Sequence, residues 1–253
     1  MRLSLFYNPF NLIERLAVEI KKTKRLKKLK NSSGKNLNQG HIDSLELLEI
    51  ISTDLKEPII FDIGANIGTW TLLAKSIFPE SVIHAFEPLE NHINEFNLSC
   101  VTLDNIYLHP FCAGNENNIS KINISSFSDS SSLLQATSLE YESFNIKKVS
   151  EAEVNVKRLS DLINANLLPV PDVIKLDIQG FELEALRGLN TYLHEVSYII
   201  CEVSFKEYYK NQALFLEIAN YLSTFDHHLF ALGHNCPLGK ELHQIDVLFK
   251  HIN

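Results

Sequence analysis

The clearest pattern in this chain is an apolar run that ends in a glycine turn and continues as an amphipathic segment. Residues 59–68 read Ile-Ile-Phe-Asp-Ile-Gly-Ala-Asn-Ile-Gly, and the amphipathic segment extends from Thr69 to Phe78. A second apolar run, Val82 to Phe86, ends in Glu87. In doubly wound folds such a strand, turn, helix and second strand bind a nucleoside, and the acid after the second strand holds the ribose. The pattern therefore predicts a nucleoside-binding βαβ unit.

The rest of the chain alternates between helical and strand periodicity. Further helices are predicted at residues 9–30, 43–55, 91–101, 160–167, 181–189 and 208–225. Further strands are predicted at residues 106–111, 119–124, 154–156, 172–177, 196–203, 228–232 and 245–249. The connection at 233–240 is too short for a helix, so the last two strands are predicted to pair antiparallel. The prediction is an α/β protein with a seven-stranded, mostly parallel sheet that ends in an antiparallel hairpin.

Two nucleoside cofactors compete for the glycine turn. A dinucleotide fingerprint, G-x-G-x-x-G, places a pyrophosphate at the helix amino terminus, but here Asn66 replaces the middle glycine and Asp62 precedes the first. The Asp62 carboxylate would repel a pyrophosphate and attract the ammonium of an amino-acid group. S-adenosylmethionine has such a group and no phosphate, so it is favoured over NAD(P). A turn that only packs the sheet would leave Glu87 unexplained. The residues expected to bind the cofactor are Asp62, Gly64, Ala65, Asn66, Gly68, Thr69, Glu87, Pro88 and Ala113.

Composition narrows the range of partners and compartments. The chain has 253 residues, of which 45% are apolar, enough for one sizeable core. Residues 1–40 carry 10 basic and 2 acidic side chains, so residues 41–253 have a net charge of −16. Such an acidic body is poorly suited to a phosphate backbone, and no nucleic-acid partner is expected. Four cysteines without C-x-x-C spacing, no apolar run of roughly 18 residues and no signal-peptide pattern predict a reduced, cytoplasmic location.

The first 40 residues are predicted to be a basic extension of a domain that spans residues 41–253. Residues 9–30 have the periodicity of an amphipathic helix, and 21–30 contain seven cationic side chains. One hypothesis is peripheral contact with an anionic membrane surface at the inner face. The alternative is packing against the acidic body or a neighbouring subunit. The composition of residues 31–40 predicts a flexible linker.

Polar residues at the ends of the later strands are the candidates for catalysis. Asp177 ends the strand at 172–177 and Glu202 lies near the end of the next one, while His109 lies near the predicted adenine site. In an open α/β sheet the reacting groups gather at the carboxyl ends of the strands. Asp177 has an alternative role as the cap of the helix that starts near Phe181. The serine-rich segment 125–132 is either a polar loop or a rim over the cofactor.

Three segments resemble the FkbM family of methyltransferases. They are Phe-Asp-Ile-Gly-Ala-Asn-Ile-Gly at 61–68, Ala-Phe-Glu-Pro at 85–88 and Ile-Lys-Leu-Asp-Ile-Gln-Gly-Phe-Glu-Leu-Glu-Ala-Leu-Arg-Gly at 174–188. Ser131-Ser132-Leu133 and the strand 200–204 also lie where the family has similar elements, so the resemblance covers roughly residues 58 to 250. It implies a Rossmann-like class I methyltransferase fold and S-adenosylmethionine. At position 179 the family often has Glu, and Gln makes a metal role for this position doubtful.

The resemblance implies O-methylation of a hydroxyl on a sugar, glycan or small-molecule product. A sugar hydroxyl has a high pKa, so a carboxylate or imidazole must accept its proton, and the candidates are Asp177, Glu202 and His109. Residues expected to contact the acceptor are Gln179, Ser131, Ser132 and Glu182. No spacing signature predicts a metal. The alternatives are an NAD(P)-dependent reductase and a non-catalytic scaffold that keeps the nucleoside site.

Overall fold

Strands and helices alternate along the computed structural model, which describes residues 20, 21, 23–238 and 241–252. The strands are β1 (Ile59–Ile63), β2 (Val82–Phe86), β3 (Ile106–His109), β4 (Cys112–Ala113), β5 (Asn118–Ser125), β6 (Lys148–Lys157), β7 (Val173–Leu176), β8 (Tyr198–Ser204), β9 (His227–Leu238) and β10 (Glu241–His251). The helices are α1 (23–28), α2 (Leu45–Asp54), α3 (Thr69–Ile77), α4 (Glu90–Cys100), α5 (Ser138–Phe144), α6 (Leu159–Asn164), α7 (Glu182–Leu189) and α8 (Phe215–Ser223). Among these described residues, no helix is both long enough and apolar enough to cross a membrane.

Seven of the strands form one sheet in the order β3-β2-β1-β7-β8-β10-β9. The first five strands in this order, β3, β2, β1, β7 and β8, run parallel to one another. Strand β10 is antiparallel to both β8 and β9. The chain leaves β1 in one direction towards β2 and β3 and returns on the other side of β1 as β7. The carboxyl ends of β1 and β7 therefore meet where the winding reverses, which is where such sheets bind ligands. The predicted fold class is confirmed.

Helices cover both faces of this sheet because successive strand residues point to opposite sides. In β1, Phe61 and Ile63 pack with α6, α7 and α8, whereas Ile60 packs with α2 and α3. All three of these side chains are at most 1% exposed. The sheet is buried on both faces, which explains why its parallel strands read as nearly continuous apolar runs.

The basic segment before α2 packs against the acidic body over its described part. Arg25 is 3% exposed, and its guanidinium donates to the Ile42 carbonyl and lies 2.8 Å from a Glu46 carboxylate oxygen. Lys28 pairs with Glu49 at 2.5 Å. Arg25 and Lys28 therefore pair with the acidic body, as the alternative to membrane contact predicts. Residues 9–19 and 22 of the predicted amphipathic helix lie outside the described residues.

The prediction of a flexible linker at 31–40 is wrong. Two 3-10 turns, Ser33–Asn36 and Gln39–His41, occupy this segment, and Leu37 joins the core beside α2. The Ser33 hydroxyl donates to the Leu72 carbonyl at 2.8 Å, which fixes the segment on α3. The same small polar residues that suggest a linker serve here as turn caps: side-chain oxygens of Ser32 and Asn38 accept the backbone N–H groups two residues on.

Two predicted element boundaries also differ from the structure. Helix α8 begins at Phe215, because residues 208–214 form a loop in which the Gln212 side-chain oxygen accepts the backbone N–H groups of Tyr208 and Tyr209. The predicted connection at 233–240 is instead largely strand, since β9 continues to Leu238. Periodicity does not reveal either difference, because it reports neither the side-chain hydrogen bonds that hold the loop at 208–214 nor how far the two strands of a hairpin stay paired.

Packing of the basic segment can be tested through Leu29, which is 2% exposed. We expect Leu29→Ala to lower the free energy of unfolding by about 2–4 kcal/mol because it leaves a cavity in the core. The matched control is Leu98→Ala on α4, where the side chain is 76% exposed and its loss should change little. Urea unfolding measures both values. Equal, small effects of the two variants would contradict the packing described here.

Candidate active site

A cavity of about 370 Å³ opens at the carboxyl ends of β1, β2, β7 and β8. Loops from outside the main sheet close it, among them residues 129–133 next to the small sheet β4-β6-β5. Its wall is formed by residues 40–41, 43–44, 63–66, 69–70, 86–89, 111–113, 129–133, 175, 177–179 and 208–209, together with single residues of other segments. The segment Asp129–Leu133 therefore belongs to the rim of the cavity, as one of the two readings of the serine-rich stretch predicts.

The turn after β1 follows the carboxyl end of β2 closely. The N–H groups of Gly64 and Ala65 both donate to the Phe86 carbonyl, and Gly64 has a φ of +83°. A Cβ on Gly64 would lie 2.1 Å from the Asp177 carbonyl oxygen. The glycine is thus required by the close approach of the segment after β7, and not by a ligand alone.

Glu87 lines the cavity at the tip of β2 and is 5% exposed. One carboxylate oxygen accepts the Asn66 N–H at 3.0 Å, and the other accepts the Leu89 N–H at 2.9 Å and lies 3.2 Å from Nδ1 of His92. These bonds fix the carboxylate, and its contact raises the pKa of His92. A carboxylate has about four acceptor positions, so one remains for a ligand hydroxyl.

Asp62 does not line the cavity. Its side chain is fully buried beneath the turn, where one oxygen accepts the Thr71 hydroxyl at 2.6 Å and the other lies 3.5 Å from the Lys175 ammonium. Burial raises the pKa of Asp62. The expected direct contact between this carboxylate and a ligand ammonium therefore has no support in the structure.

The other expected cofactor residues divide into two groups. Five of them line the cavity, namely Ala65, Asn66, Thr69, Pro88 and Ala113, as does Gly64. Gly68 does not. It takes a left-handed φ of +87° as the N-cap residue of α3, and its α-carbon faces Phe96 and Cys100 on α4. Its role is to admit close packing of α3 against α4.

Two carboxylates and one amide form the polar wall of the cavity beyond β1. The side-chain N–H groups of Gln179 donate to Asp177 at 2.8 Å and to Glu202 at 3.1 Å. Burial, with a further contribution from Asp177, raises the pKa of Glu202 well above its ordinary range. Gln179 thus holds the two acids together, whereas a Glu at this position would add a third negative charge.

Asp177 does not cap the following helix. The N-cap residue of α7 is Phe181, and no side chain caps it. The Asp177 side chain is 39% exposed, and one of its oxygens lies 3.7 Å from the Lys175 ammonium. The carboxylate is therefore available to the cavity, which its alternative role as a cap would have prevented.

Glu182 and His109 lie outside the cavity lining. Glu182 is 3% exposed, and one oxygen accepts the N–H groups of Ile178 and Gly180 at 3.0 and 3.1 Å, so it braces the turn after β7. The His109 ring stacks on Phe86, and its Nε2 lies 2.9 Å from Nδ1 of His84. Burial lowers the pKa of His109 to about 4, so this ring is neutral at pH 7. Neither position supports a contact with an acceptor.

The two rim serines both line the cavity, with their hydroxyls already engaged. Ser132 donates to the Gln179 carbonyl at 2.7 Å and accepts the Leu134 N–H at 3.0 Å. Ser131 accepts the Ser125 N–H at 3.3 Å. Ser132 therefore ties the rim to the segment that carries Asp177 and Gln179.

Several residues of the wall were missed by sequence reasoning: Ser44, Trp70, Glu140, Lys175, Tyr208, Tyr209, Gln244 and Asp246. Their positions depend on strand order and on loops. Asp246 lies directly across from Glu202 because β10 pairs with β8, and the Ser44 hydroxyl donates to it at 2.6 Å. Burial raises the pKa of Asp246 to about 6. The one available signal was the polar Lys175 inside an otherwise apolar strand.

One group of metal-type ligands occurs in the part of the chain that the structure describes. It consists of His194, Asp226 and His251, with ligand atoms within 4.8 Å of one another. The group lies beside the start of β8, because Lys250, next to His251, pairs with Tyr198 there. This is the end of the parallel strands opposite the cavity. The group has no connection with the carboxylates of the cavity.

Sequence comparisons relate this chain to known methyltransferases. The family described as "Methyltransferase FkbM domain" matches residues 62–232. Methyltransferase 1 of Beauveria bassiana is 29% identical over 148 residues, or 53% of this chain and 59% of that protein. The hexuronic acid methyltransferase AglP of Haloferax volcanii is 25% identical over 167 residues, or 65% of this chain and 63% of that protein. The chain thus spans about three fifths of the length of these curated relatives.

Solved structures with a similar chain path include magnesium protoporphyrin IX methyltransferase of Synechocystis, with a TM-score of 0.45 at 10% identity. That match covers 86% of this chain and 85% of the other.

The buried carboxyl of Glu182 predicts a pH dependence of stability. Burial raises its pKa to about 7, from an ordinary 4.5. Between these values the folded protein keeps a proton that the unfolded chain has lost, so stability falls as the pH rises from about 4.5 to about 7. Glu182→Gln keeps an acceptor oxygen but cannot ionise. We therefore expect the free energy of unfolding of this variant to fall less over this pH range, by up to about 3 kcal/mol. Urea unfolding across this pH range measures it. Glu184→Gln is the control, and an unchanged slope in Glu182→Gln would contradict the assignment.

Proposed function

We infer the function from one premise, that the chain belongs to the FkbM methyltransferase family. We propose that it transfers a methyl group from S-adenosylmethionine to a hydroxyl group of a sugar, a glycan or a related small molecule. The observation that carries the proposal is that one cavity contains a carboxylate directly after β2, suited to a ribose, and a second carboxylate after β7, suited to accept a proton. These groups, Glu87 and Asp177, lie on either side of the turn after β1.

The residues present fit a nucleoside that carries no phosphate. Glu87 is held by Asn66 and Leu89 with an acceptor position to spare, which suits a ribose hydroxyl. One buried acid, Asp62, lies beneath the start of α3, where a dinucleotide would put its pyrophosphate. Buried negative charge at that point disfavours a pyrophosphate. When bound, S-adenosylmethionine supplies a methyl group already activated on a sulfonium.

The protein's part in the reaction is to align the acceptor hydroxyl and to take its proton. Asp177 is the candidate base, because it lines the cavity and its side chain is 39% exposed. Glu202, with its raised pKa, holds a proton over a wider pH range and can donate a hydrogen bond to an acceptor oxygen. Gln179 keeps the two groups at a fixed spacing, which favours one orientation of the acceptor.

The acceptor half of the cavity is rich in groups that bind hydroxyls. Tyr209 lies there, and its hydroxyl is 2.8 Å from a Glu140 oxygen and 3.1 Å from the Gln179 side-chain oxygen. Gln244 on β10 adds a side-chain amide near Glu202. Carboxylates, amides and phenols together match the donors and acceptors of a polyhydroxyl compound. The relative from Haloferax volcanii is named for a hexuronic acid, which is consistent with a carbohydrate acceptor.

Donor binding can be tested by calorimetry with S-adenosylhomocysteine and with NADH. We expect S-adenosylhomocysteine to bind and NADH not to bind. Glu87→Gln should weaken S-adenosylhomocysteine about tenfold or more, because a charged hydrogen bond to the ribose is lost. The control, Glu90→Gln, changes an exposed acid on the same loop-to-helix segment and should have no effect. If NADH saturates the protein and S-adenosylhomocysteine does not bind, the proposal is wrong and a reductase is favoured.

Proton acceptance by Asp177 can be tested in a methylation assay with neutral sugars, amino sugars and hexuronates as acceptors. We expect Asp177→Asn to lower kcat about 100-fold or more, with affinity for S-adenosylhomocysteine kept. Release of S-adenosylhomocysteine measures the rate. Asp104→Asn, at an exposed acid far from the cavity wall, is the control. If Asp177→Asn keeps full activity on every accepted sugar, Asp177 is not the base.

A further inference from the structure

The group of metal-type ligands at the far end of the sheet brings together three separate segments of the chain. His194 belongs to the 3-10 turn before β8, Asp226 directly precedes β9, and His251 is the last residue of β10. One ligand atom of each side chain lies within 4.8 Å of the other two. Around a tetrahedral Zn²⁺ with bonds of about 2.1 Å, neighbouring ligand atoms lie about 3.4 Å apart. The three side chains therefore need only small movements to enclose one ion.

Backbone contacts hold these segments against one another. The Ile252 N–H donates to the Asp226 carbonyl at 2.9 Å, which fixes the end of β10 beside the turn before β9. His227 pairs in register with His251, and its Nε2 donates to the Leu193 carbonyl of the 3-10 turn at 2.8 Å. A metal site is most precise when paired strands and fixed turns carry its ligands. These contacts supply such a scaffold.

Two ring nitrogens at this place are buried without a hydrogen-bond partner among the described residues. They are Nε2 of His251 and Nδ1 of His227, whose rings lie in T-shaped contact with centroids 5.3 Å apart. His227 is only 1% exposed, and because its Nε2 donates to a carbonyl, its Nδ1 carries a lone pair. Buried polar atoms are rarely left unpaired unless a water or an ion accompanies them. A lone pair favours positive charge nearby, so this observation indicates a cation independently of the ligand spacing.

The types of ligand select the kind of ion. Two imidazoles and one carboxylate suit Zn²⁺ and similar transition-metal ions, whereas Mg²⁺ and Ca²⁺ prefer oxygen ligands throughout. The side chains of His194 and Asp226 are 49% and 66% exposed, so an ion can enter from solvent and keep a water as its fourth ligand. Nδ1 of His194 lies 3.9 Å from the Asp226 carboxylate, which is too long for a hydrogen bond.

We propose that His194, Asp226 and His251 bind one Zn²⁺ or a chemically similar transition-metal ion. The ion joins the turn before β8, the turn before β9 and the end of β10, and so fastens the terminal hairpin to the parallel part of the sheet. Because the group lies at the end of the strands opposite the cavity, the ion acts on stability and takes no part in methyl transfer. The site is therefore independent of the proposed function.

The site can be tested by calorimetry on the full chain after treatment with a chelator and dialysis, with ZnCl₂ and MgCl₂ as the probes. We expect one equivalent of Zn²⁺ to bind and Mg²⁺ to bind far more weakly. Asp226→Asn and His194→Gln should each weaken Zn²⁺ about tenfold or more. Asn is well suited to the left-handed φ of +62° at position 226, so Asp226→Asn removes the charge and keeps the backbone. The control is His228→Gln, at an exposed histidine of β9 outside the group.

Urea unfolding gives a second readout that does not depend on enzymatic activity. Zn²⁺ at about 100 times its dissociation constant should lower the unfolding equilibrium constant about 100-fold in the wild-type protein and in His228→Gln. At the same Zn²⁺ concentration the effect should be much smaller in Asp226→Asn and His194→Gln. Cooperative unfolding of each variant without Zn²⁺ verifies that it is folded.

Three results would overturn the site. They are no binding of Zn²⁺ by the wild-type protein, equally tight binding of Mg²⁺, and Zn²⁺ affinity and stabilisation kept in full by both Asp226→Asn and His194→Gln. The last result would mean that Zn²⁺ binds elsewhere on the chain. None of these titrations contains a methyl donor, so failure of the proposed function would leave their outcome unchanged.

Discussion

One ammonium group, that of Lys175, joins the segments that follow the two central strands at the cavity wall. Lys175 pairs in register with Asp62 across the two central parallel strands, and its ammonium lies among the Asp62 carboxylate, the Gly64 carbonyl and the Asp177 carboxylate. A buried lysine is unfavourable unless opposite charges surround it, so these three oxygens must stay close to it. The glycine turn after β1 and the segment after β7 that carries Asp177 are thereby held together at the switch point of the sheet.

The cavity draws on both ends of the chain as well as on the family region. Ser44 and Asp246 are separated by 202 residues and joined by one hydrogen bond, and neither lies within the matched range 62–232. The two segments meet because the terminal hairpin adds β10 next to β8, while α2 and the turns before it cover that face. This side of the cavity is thus built partly from residues outside the matched range.

The acidic side chains of the cavity differ between its β2 side and its β8 side. On the β2 side a single carboxylate, Glu87, accepts hydrogen bonds from two backbone amides, which hold it in one orientation. On the β8 side Glu202 and Asp246 face each other across neighbouring strands, and both have raised pKa values. Because they are neighbours, ionisation of one of these two carboxyls disfavours ionisation of the other. Gln179, in place of an acid, reduces this repulsion and supplies donors to the adjoining carboxylates.

The sequence by itself determined the βαβ unit at 59–86, the hairpin at the end of the sheet and the position of Asp177, because each depends on local periodicity and chain order. It could not determine which polar side chains face the cavity. Asp62, Glu182 and His109 have suitable chemistry and suitable strand positions, yet neighbouring backbone or side-chain groups engage all three outside the cavity wall. Tyr209 reaches the wall only through a loop that looked helical. Such directions depend on how the backbone turns after each strand and on which strands become neighbours, and only the tertiary structure decides both.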